Sequence, residues 1–381
     1  MKILVTGGLG FIGSNFCRYT INAHPDVEVT NIDKIGMGAN PSNLKDLERE
    51  KRYRFVKGDI RDSKLLNRLV KEADAVVNFA AETHVDRSIA DPNEFLQNNT
   101  LGTFNILEAL RKHNSQARLV QVSTDEVYGE IRQGSFKEDD PPKPSNPYSA
   151  SKAAADMFVH AYFKTYKLNA AITRCTNNYG PYQLPEKLIP KTIIRALKNL
   201  KVPVYGTGMN VRDWIYVQDH CEAIDLVLTR GQSGQIYNVA ADNEMSNIEI
   251  VKKILKQLDR GQDLIAFVED RPGHDIRYSL DSSKIRLELG WKPKHSFEKA
   301  LKETIDWYVC NESWWKPLAT EQILSPTPWK QKWTPVKLLI TGASGLLGTK
   351  LCEIALRKNH EVYSAYSQHK PLYGTPVKLH S

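Results

Sequence analysis

Cysteine is scarce in this sequence: its 381 residues include five, and no two of them form a Cys-x-x-Cys pair. An odd number of widely separated cysteines argues against a disulfide framework and a structural zinc site, and it favours a reducing compartment. His84 and His274 also lack a second histidine or cysteine at the spacing of metal ligands. We therefore predict no metal site.

Long apolar runs and long runs of one charge are missing as well. No apolar stretch approaches the roughly 18 residues of a membrane-spanning helix, and the N-terminus begins with Lys2 and a strand pattern rather than a signal peptide. We therefore expect a soluble, cytoplasmic protein without a membrane partner. The net charge of +8 forms no basic tail, so a phosphorylated metabolite is the expected anionic partner and nucleic acid is not.

Short apolar runs alternate with helical patterns in the first part of the chain. We predict strands at residues 2–6, 27–32, 53–56, 75–79 and 119–123, followed by a packed helix that starts near Tyr148. Strands that alternate with helices at this spacing form βαβ units. The sequence therefore predicts an α/β fold with a doubly wound, mainly parallel sheet of the Rossmann type.

The pattern becomes less regular after residue 176, where prolines interrupt short segments. We predict a Rossmann-like domain with the cofactor and catalytic residues at 1–176. A smaller substrate lobe is expected mainly at 177–310. A linker that packs in places is expected at 311–335.

An internal repeat follows the linker. The segment MKILVTGGLGFIGSNFC at residues 1–17 matches VKLLITGASGLLGTKLC at 336–352. Residues 336–381 have room for about two strands and a helix, which cannot close a doubly wound sheet. We therefore predict a partial second Rossmann unit that does not catalyse by itself.

A glycine-rich turn with Gly7, Gly10 and Gly13 lies between the first strand and a helix. Without side chains, these residues let the backbone approach a pyrophosphate, whose charge a helix N-terminus stabilises. Asp33 ends the second strand 20 residues after Gly13, where a carboxylate can bind a ribose hydroxyl and repel a 2′-phosphate. We predict NAD rather than NADP as the cofactor; the alternative is a turn that binds nothing.

Further cofactor contacts are expected at the carboxyl edge of the sheet, because open α/β folds bind ligands there. Asp59 has a competing interpretation, since its side chain could instead cap the following helix. The other predicted cofactor residues are Phe11, Ile12, Lys34, Ile60, Ala80, Ala81, Asn98 and Asn178, together with Tyr148 and Lys152.

Tyr148 and Lys152 begin the packed helix and lie on one face of it, four residues apart. A nearby ammonium and the positive nicotinamide ring are expected to lower the pKa of the phenol. Tyr148 could then take a hydroxyl proton while hydride leaves to NAD.

Thr124, Asp125 and Glu126 follow the fifth predicted strand. Two adjacent carboxyl groups supply an acid and a base if their surroundings keep one protonated and the other ionised. That is the chemistry of an elimination. In the alternative interpretation, Asp125 and Glu126 are loop charges that face water.

With these residues together, the sequence resembles the extended short-chain dehydrogenase/reductase superfamily and, within it, the dTDP-glucose 4,6-dehydratases. The Thr-Asp-Glu triplet indicates this subfamily, since related epimerases and decarboxylases typically have smaller or differently charged residues there. The sequence departs from the family pattern at Gly8-Leu9 and in the KIGMG segment after Asp33, both near the adenosine pocket. The likeness covers roughly residues 1–310 and includes AAETHVDRS at 80–88, NNYGPY at 177–182, PEKLIP at 185–190, RDW at 212–214 and DRPGH at 270–274.

The resemblance implies conversion of dTDP-glucose to dTDP-4-dehydro-6-deoxyglucose, in deoxysugar biosynthesis of the dTDP-rhamnose type. Tyr148, helped by Thr124 and Lys152, deprotonates the sugar 4-hydroxyl while NAD takes the C4 hydride. Glu126 then removes the C5 proton, Asp125 protonates the departing 6-hydroxyl, and the hydride returns to C6. The residues implied to bind the nucleotide sugar are Thr83, Thr124, Asn177, Lys187, Leu188, Pro203, Val204, Tyr205, Arg212, Asn247, Asp270, Arg271, Pro272, Gly273 and His274.

Other functions and an oligomer are also considered. The alternatives are another NAD-dependent nucleotide-sugar epimerase, decarboxylase or dehydratase, or a non-catalytic NAD-binding protein. A homodimer is expected through a four-helix interface of residues 101–110 and 150–162, as in the family. The TGASGLLG segment at 341–348 resembles the start of dTDP-4-dehydrorhamnose reductases, which act later in the same pathway, and it suggests a truncated fusion.

Overall fold

The computed structural model describes residues 1–330, 337–357, 361–366 and 369–378. Contacts within the chain separate two compact units, Met1–Pro328 and Trp329–Ser381, and each is described by itself. Residues 331–335 of the predicted linker and residue 336 of the predicted second fragment lie outside the described residues.

The main sheet of the first unit is built from parallel strands. The strands of this unit are β1 (Lys2–Thr6), β2 (Glu28–Asp33), β3 (Tyr53–Lys57), β4 (Ala75–Asn78), β5 (Arg118–Thr124), β6 (Ala170–Cys175), β7 (Asn177–Tyr179), β8 (Val202–Tyr205), β9 (Val211–Tyr216), β10 (Ile236–Val239), β11 (Glu244–Ser246) and β12 (Ile265–Val268). Seven of them form one sheet in the order β10-β6-β5-β4-β1-β2-β3, and each neighbouring pair is parallel. The five strands expected from the sequence are present within one residue of their expected bounds, and the predicted doubly wound α/β fold is confirmed.

Successive residues of a strand point to opposite faces of the sheet, and apolar residues occur on both faces here. Helices therefore cover both faces. The helices of the first unit are α1 (Phe11–Ala23), α2 (Ser63–Lys71), α3 (Val85–Ala90), α4 (Asn93–Phe95), α5 (Gly102–His113), α6 (Pro147–Tyr166), α7 (Leu188–Leu197), α8 (Val217–Arg230), α9 (Asn247–Gln257), α10 (Ser283–Leu289), α11 (Phe297–Cys310) and α12 (Glu312–Trp315). Ile3 and Val5 of β1 belong to an apolar cluster with Phe16 of α1, whereas Leu4 belongs to a second cluster with Leu66 of α2. Short 3₁₀ helices span Pro41–Leu47, Asp125–Tyr128, Gln262–Leu264 and Pro328–Lys330, and a π-helix spans Leu96–Leu101.

Residues after β6 build a smaller lobe and also return to the main sheet. Strands β7, β9 and β11 form a three-stranded sheet, and β8 pairs with β12. Helices α7, α9 and α11 share a core with these strands that includes Ile193, Trp214, Ile254 and Leu301. Strand β10 lies in the same stretch of sequence but extends the main sheet beside β6. Residues 177–310 thus supply both the lobe and an edge of the Rossmann-like sheet.

The segment predicted as a linker is packed where it belongs to the first unit. Trp315, Ala319 and Leu324 are buried in the core of the lobe. The Trp314 indole donates a hydrogen bond to Asn43 Oδ1 at 2.8 Å. These contacts hold residues up to Leu324 against the first unit, which ends at Pro328.

The second unit repeats the start of the first, with β13 (Lys337–Thr341), α13 (Leu346–Arg357), β14 (Glu361–Tyr366) and β15 (Thr375–Lys378). Its parallel strands run in the order β13-β14-β15. The expectation of about two strands was too low. Strand β15 is the strand that this expectation did not include. Residues 358–360, 367–368 and 379–381 of the predicted fragment lie outside the described residues.

Two further findings concern the expectations about compartment and membrane. All five cysteines lie in the described part of the chain, and they are free thiols. None of the helices described by the structure combines the length and the apolar character that a membrane crossing requires.

Candidate active site

One cleft of the first unit collects the predicted functional residues at the carboxyl edge of the main sheet. Strand β1 has β4 on one side and β2 on the other, so the order of strands reverses there, and open α/β sheets bind ligands at such a point. Every predicted cofactor residue lines this cleft, and so does every predicted catalytic residue. Side chains from the first 60 residues thus meet side chains from near residues 125, 150 and 178.

The glycine-rich turn has close approaches that exclude side chains. Gly7 has a φ of 72°, and a Cβ built on it would lie 2.6 Å from the nitrogen of Ala80. A Cβ on Gly13 would lie 2.5 Å from the Gly7 carbonyl oxygen. Helix α1 starts after Gly10 without a side-chain cap and without an acidic residue in its first turn. Its N–H groups are therefore open to an anion, and the turn fits a pyrophosphate.

Asp33 ends β2 beside this turn. Its carboxylate accepts hydrogen bonds from the main-chain N–H groups of Leu9 (3.1 Å) and Ile35 (2.8 Å). Burial raises the pKa of Asp33, and the two hydrogen bonds oppose that rise. The carboxylate is therefore held in place and still has acceptor capacity for a ribose hydroxyl.

Asp59 does not cap the helix that follows it. Asp62 does so, accepting hydrogen bonds from the N–H groups of Lys64 and Leu65. Asp59 lines the cleft and pairs with Arg61 at 2.7 Å. The capping interpretation of Asp59 is wrong, and its contact with the cofactor stays a prediction.

Two polar side chains that were not predicted from the sequence, Glu82 and Asn31, make contacts at the cofactor end of the cleft. Glu82 lines the cleft and pairs with Lys34 at 3.2 Å, and Lys34 also donates to Asn98 Oδ1 at 2.9 Å. Asn31 Oδ1 accepts a hydrogen bond from the N–H of Gly8 at 3.0 Å and so holds the glycine-rich turn against β2. Glu82 lies inside the AAETHVDRS motif, which could have identified it, whereas Asn31 has no such signal.

The Thr124, Asp125 and Glu126 triplet lies at the end of β5, where a short 3₁₀ helix begins. The Thr124 hydroxyl accepts a hydrogen bond from the N–H of Glu126 (3.3 Å) and donates one to Asp125 Oδ1 (3.1 Å). Asp125 Oδ2 and Glu126 Oε2 are buried and have no hydrogen-bond partner among the described residues. The interpretation of these acids as loop charges facing water is therefore wrong.

The two acids have different electrostatic surroundings. Burial, and then the neighbouring Glu126, raise the pKa of Asp125 to about 8, so this group is mainly protonated near neutral pH. Burial also raises the pKa of Glu126, but the cations Arg271, Arg212 and Lys187 oppose that rise. The surroundings therefore favour Asp125 as a proton donor, while the three cations favour the charged form of Glu126.

Tyr148 and Lys152 lie in the first turns of α6, which Asn146 and Ser149 cap through reciprocal hydrogen bonds. Both functional side chains are buried. The Lys152 ammonium donates a hydrogen bond to the carbonyl oxygen of Val122 in β5 at 2.7 Å. This bond fixes the lysine beside the sheet edge where the acids stand.

The protein's own groups raise the pKa of Tyr148, and the expected lowering by the ammonium together with the nicotinamide ring stays a prediction. Burial raises the pKa of the phenol well above its ordinary value, and the charge of Glu126 adds to the rise. The Thr124 hydroxyl acts in the opposite direction. Burial lowers the pKa of Lys152, opposed by the Asp156 carboxylate. A further positive charge at the phenol is needed before it can act as a base near neutral pH.

The predicted substrate residues fall into two groups. Thr83, Thr124, Asn177 and Lys187 line the cleft, and Lys187 Nζ donates to the Thr83 carbonyl oxygen at 2.9 Å. The others are not among the residues that line it: Leu188, Pro203, Val204, Tyr205, Arg212, Asn247, Asp270, Arg271, Pro272, Gly273 and His274. Leu188 begins α7 and Asn247 begins α9.

Two of these outlying residues, Arg212 and Arg271, act on Glu126 through their charge. The Arg212 guanidinium lies 4.1 Å from the centre of the Tyr278 ring and donates to the carbonyl oxygens of Val211 and Asp275. Most of its donors are therefore used within the protein, which the sequence did not indicate. Binding of the nucleotide sugar by Arg212 stays a prediction.

The 270–274 loop follows β12 and faces β8. The ring of His274 lies 6.4 Å from the ring of Tyr205, and His274 Nδ1 pairs with Asp270 at 2.6 Å. Among the residues that the structure describes, no group of three or more histidine, cysteine, aspartate or glutamate side chains could hold a metal ion.

The sequence also matches proteins of known identity. A family model described as GDP-mannose 4,6 dehydratase matches residues 4–304. A dTDP-glucose 4,6-dehydratase of Streptomyces niveus is 47% identical over 332 residues, which cover 86% of this chain and 98% of that protein. The chain belongs to the dTDP-glucose 4,6-dehydratase family.

Two further relatives extend this comparison. The low-salt glycan biosynthesis protein Agl12 of Haloferax volcanii is 50% identical over 309 residues, covering 81% of this chain and 99% of that protein. DesIV of Streptomyces venezuelae, a dTDP-glucose 4,6-dehydratase crystallised with NAD and TYD bound, is 47% identical with a TM-score of 0.82, covering 84% of this chain and 100% of that one. The match to the family model ends before Trp329, where the second unit begins.

Proposed function

We propose that the protein is an NAD-dependent dTDP-glucose 4,6-dehydratase that forms dTDP-4-dehydro-6-deoxyglucose for deoxysugar biosynthesis of the dTDP-rhamnose type. One observation carries the proposal: a single cleft holds a dinucleotide turn, a buried tyrosine and two adjacent acids, Asp125 buried and Glu126 partly buried, whose surroundings differ. The family relationship supports the choice of substrate, and the NAD and TYD bound to DesIV support the choice of ligands.

The turn of Gly7, Gly10 and Gly13 holds the pyrophosphate of NAD, and Asp33 holds a ribose hydroxyl. Ala80 and Asn178 also line the cleft. Bound NAD supplies a hydride acceptor for C4 of the sugar and, later, a hydride donor for C6. Its positive ring also supplies the charge that lowers the pKa of the buried phenol.

The catalytic residues move protons on the sugar. Tyr148 takes the proton of the 4-hydroxyl while the C4–H bond of the sugar breaks. Thr124 and Lys152 hold the phenol in place. The resulting 4-ketone acidifies the C5 proton, which Glu126 removes. Asp125 gives its proton to the 6-hydroxyl, and the C6–O bond breaks to release water. Glu126 would return a proton to C5 as C6 takes up the hydride. Tyr148 then gives up its proton to solvent and Asp125 takes one from solvent, so the net change is the loss of one water.

An epimerase or decarboxylase would use the same oxidation at C4 but needs no base at C5 and no acid at C6. The burial of Asp125 and of the Glu126 Oε2 atom, with three cations acting on Glu126, favours the dehydratase. A buried acid pair without a chemical task would only destabilise the fold. The non-catalytic alternative is disfavoured for the same reason.

The reaction tests the proposal directly. Purified protein is incubated with NAD and dTDP-glucose in deuterated water, and the product is analysed by mass spectrometry and NMR. We expect a 4-keto sugar that is lighter by one water and carries deuterium at C5. Absence of product, or a 4-epimer without loss of water, would overturn the dehydratase.

Replacing Glu126 by Gln separates oxidation from elimination. The variant should still transfer hydride from C4, seen as NADH absorbance, while product formation falls by about 10²- to 10⁴-fold. Glu72→Gln, at an exposed glutamate after α2, is the control and should match the wild type. Equal loss of hydride transfer and of product in Glu126→Gln would contradict the role of Glu126 at C5.

A homodimer and a cytoplasmic location are parts of the same proposal. Leu101, Met157 and Phe158 are exposed apolar residues on or next to α5 and α6, the helices expected to form the interface. The rings of Phe104 in α5 and Phe158 in α6 lie 5.8 Å apart, so the two helices present one apolar face. The free thiols and the need for NAD support a reducing cytoplasm.

A further inference from the structure

The segment at residues 83–87 joins the Rossmann-like domain to the lobe through polar contacts. The Thr83 carbonyl oxygen accepts a hydrogen bond from Lys187, and Arg87 pairs with Glu186 at 3.2 Å. Asp86 also contacts the lobe, through Arg271 and Tyr205. Three of the residues that the segment contacts, Lys187, Tyr205 and Arg271, are expected substrate residues, so the segment is placed to control their position.

Asp86 connects three elements of the fold. It lies in α3, and its side chain is 5% exposed. Its Oδ1 accepts a hydrogen bond from Arg271 Nη1 at 3.0 Å, and its Oδ2 accepts one from the Tyr205 hydroxyl at 3.5 Å. Arg271 belongs to the 270–274 loop and Tyr205 ends β8. One carboxylate therefore holds two residues that the family resemblance assigns to the substrate.

The charge on Asp86 is stable in this position. Burial raises its pKa, but the charges of His84 and Arg271 outweigh burial and hold the pKa below its ordinary value. Burial also lowers the pKa of His84 to about 4, so His84 is neutral near pH 7 and Arg271 is the more important partner. Asp86 and Arg271 thus form a buried ion pair, and removal of either charge leaves the other unpaired.

Arg271 retains donors that the pair with Asp86 does not use. Its Nη1 bonds to Asp86, while its Nε is buried without a hydrogen-bond partner among the described residues. Arg212 is different, because its two Nη atoms donate to backbone carbonyl groups. A buried guanidinium with an unused donor is suited to anionic oxygens. Arg271 is therefore the better placed of the two arginines for a diphosphate.

We propose that Asp86 is a positioning residue, which orients Arg271 and Tyr205 so that the remaining Arg271 donors bind the diphosphate of the nucleotide sugar. The inference rests on the proposed function and deepens it by naming what sets the geometry of the diphosphate wall. Asp86 itself does not touch the substrate. In the competing interpretation, the ion pair only fastens the lobe to the Rossmann-like domain.

The test is the binding of thymidine diphosphate and of NAD, each measured by titration calorimetry, to wild type and to Asp86→Asn. Asparagine keeps the size of the side chain but removes the charge. We expect the affinity for thymidine diphosphate to fall by about 10- to 100-fold, because a displacement of about 1 Å at a binding group has effects of that order. NAD affinity should change by less than about two-fold, since the Asp86 pair lies outside the NAD contacts.

Three further variants make the result specific. In an Arg271→Lys background, Asp86→Asn should add little to the loss, because the residue that it orients is already altered. Asp86→Glu restores the charge and should recover part of the affinity. Glu244→Gln removes the partner of Arg277, an ion pair of 2.6 Å elsewhere in the lobe, and should bind thymidine diphosphate like the wild type.

The outcomes separate the two proposals. If wild type and Asp86→Asn bound thymidine diphosphate equally well, the role of Asp86 would be overturned and the proposed function would stand. Equal losses of NAD and thymidine diphosphate affinity, with a lower thermal midpoint, would also overturn it, because they indicate a structural fastening only. Wild type that binds no thymidine diphosphate would overturn both.

Discussion

Asp125 accepts a hydrogen bond from the Thr124 hydroxyl at 3.1 Å, and its second carboxylate oxygen is buried without a partner in the described structure. The charged form of such a group is disfavoured, because no second donor replaces the water lost on burial. Glu126 next to it adds a like charge, and the pKa of Asp125 rises to about 8. Asp125 is therefore an acid that keeps its proton at pH 7 and can give it to a leaving hydroxyl.

The first prediction is the pH dependence of turnover. Because the protonated form of Asp125 acts, kcat should fall as the pH rises through about 8. Asp125→Asn cannot donate a proton and should lower kcat by about 10²- to 10⁴-fold. Its residual activity should not show the decline near pH 8. Steady-state formation of the 4-keto product over neutral and alkaline pH measures both effects. A variant that keeps the wild-type decline would assign it to another group.

The second prediction concerns stability and follows from the same shift. The folded pKa of about 8 lies above the unfolded value of about 3.9, so the favourable contribution of Asp125 is complete below the lower value and lost as the pH rises through the higher one. Asp125→Asn cannot ionise, so its thermal midpoint should rise relative to wild type between about pH 4 and 8, by about 2 °C or more. Calorimetry measures it, with exposed Asp139→Asn as control. A difference independent of pH would contradict the shift.

The third prediction uses the internal repeat as its own control. A Cβ on Gly13 would lie 2.5 Å from the Gly7 carbonyl oxygen, and a Cβ on Gly348 would lie 2.1 Å from the Gly342 carbonyl oxygen. The two alanine substitutions thus create the same clash in the two units. Gly13→Ala should weaken NAD binding at least about ten-fold, because the turn must open where the pyrophosphate lies.

Gly348→Ala should leave NAD affinity and turnover at wild-type values, because the proposed site lies in the first unit. NAD titration followed by protein fluorescence, together with turnover assays, compares the two variants. If Gly348→Ala reduced turnover as much as Gly13→Ala, the second unit would take part in the reaction, and the location of the site in the first unit alone would be wrong.

Sequence patterns were sufficient for the parts of the molecule that depend on local chemistry. The glycine-rich turn, Asp33 and the triplet after β5 all follow strands of a parallel sheet. Because such strands end at one edge, residues far apart in sequence were expected in one cleft, and they line one cleft. The pairing of Tyr148 with Lys152 on one helix face needed only the helical period.

Contacts between residues far apart in the sequence could not be predicted from sequence patterns. Nothing local indicates that Asp86 pairs with Arg271, 185 positions away, or that Arg212 gives its donors to backbone carbonyl groups. The rise that burial causes in the pKa of Tyr148 was not predicted either, because burial cannot be read from a four-residue spacing. Strand β15 was missed for a related reason, since its pairing with β14 is a tertiary contact.

The last prediction tests the proposed dimer. Phe158 is 39% exposed although its ring packs on Phe104, and Met157 beside it is 48% exposed. Wild type should have a mass near twice its 43.2 kDa by light scattering. Phe158→Glu would place a charge in the interface of α5 and α6, where burial without a partner is unfavourable, and should shift the mass to that of one chain.

A matched surface change makes this result specific to the interface. Leu287 in α10 is 85% exposed and lies away from the helices proposed to pair, so Leu287→Glu should leave the dimer intact. Monomers from both variants would indicate a general loss of structure, which circular dichroism would reveal. A monomeric wild type at micromolar concentration would refute the dimer, since an apolar face on α5 and α6 that is buried between two copies should hold them together at that concentration.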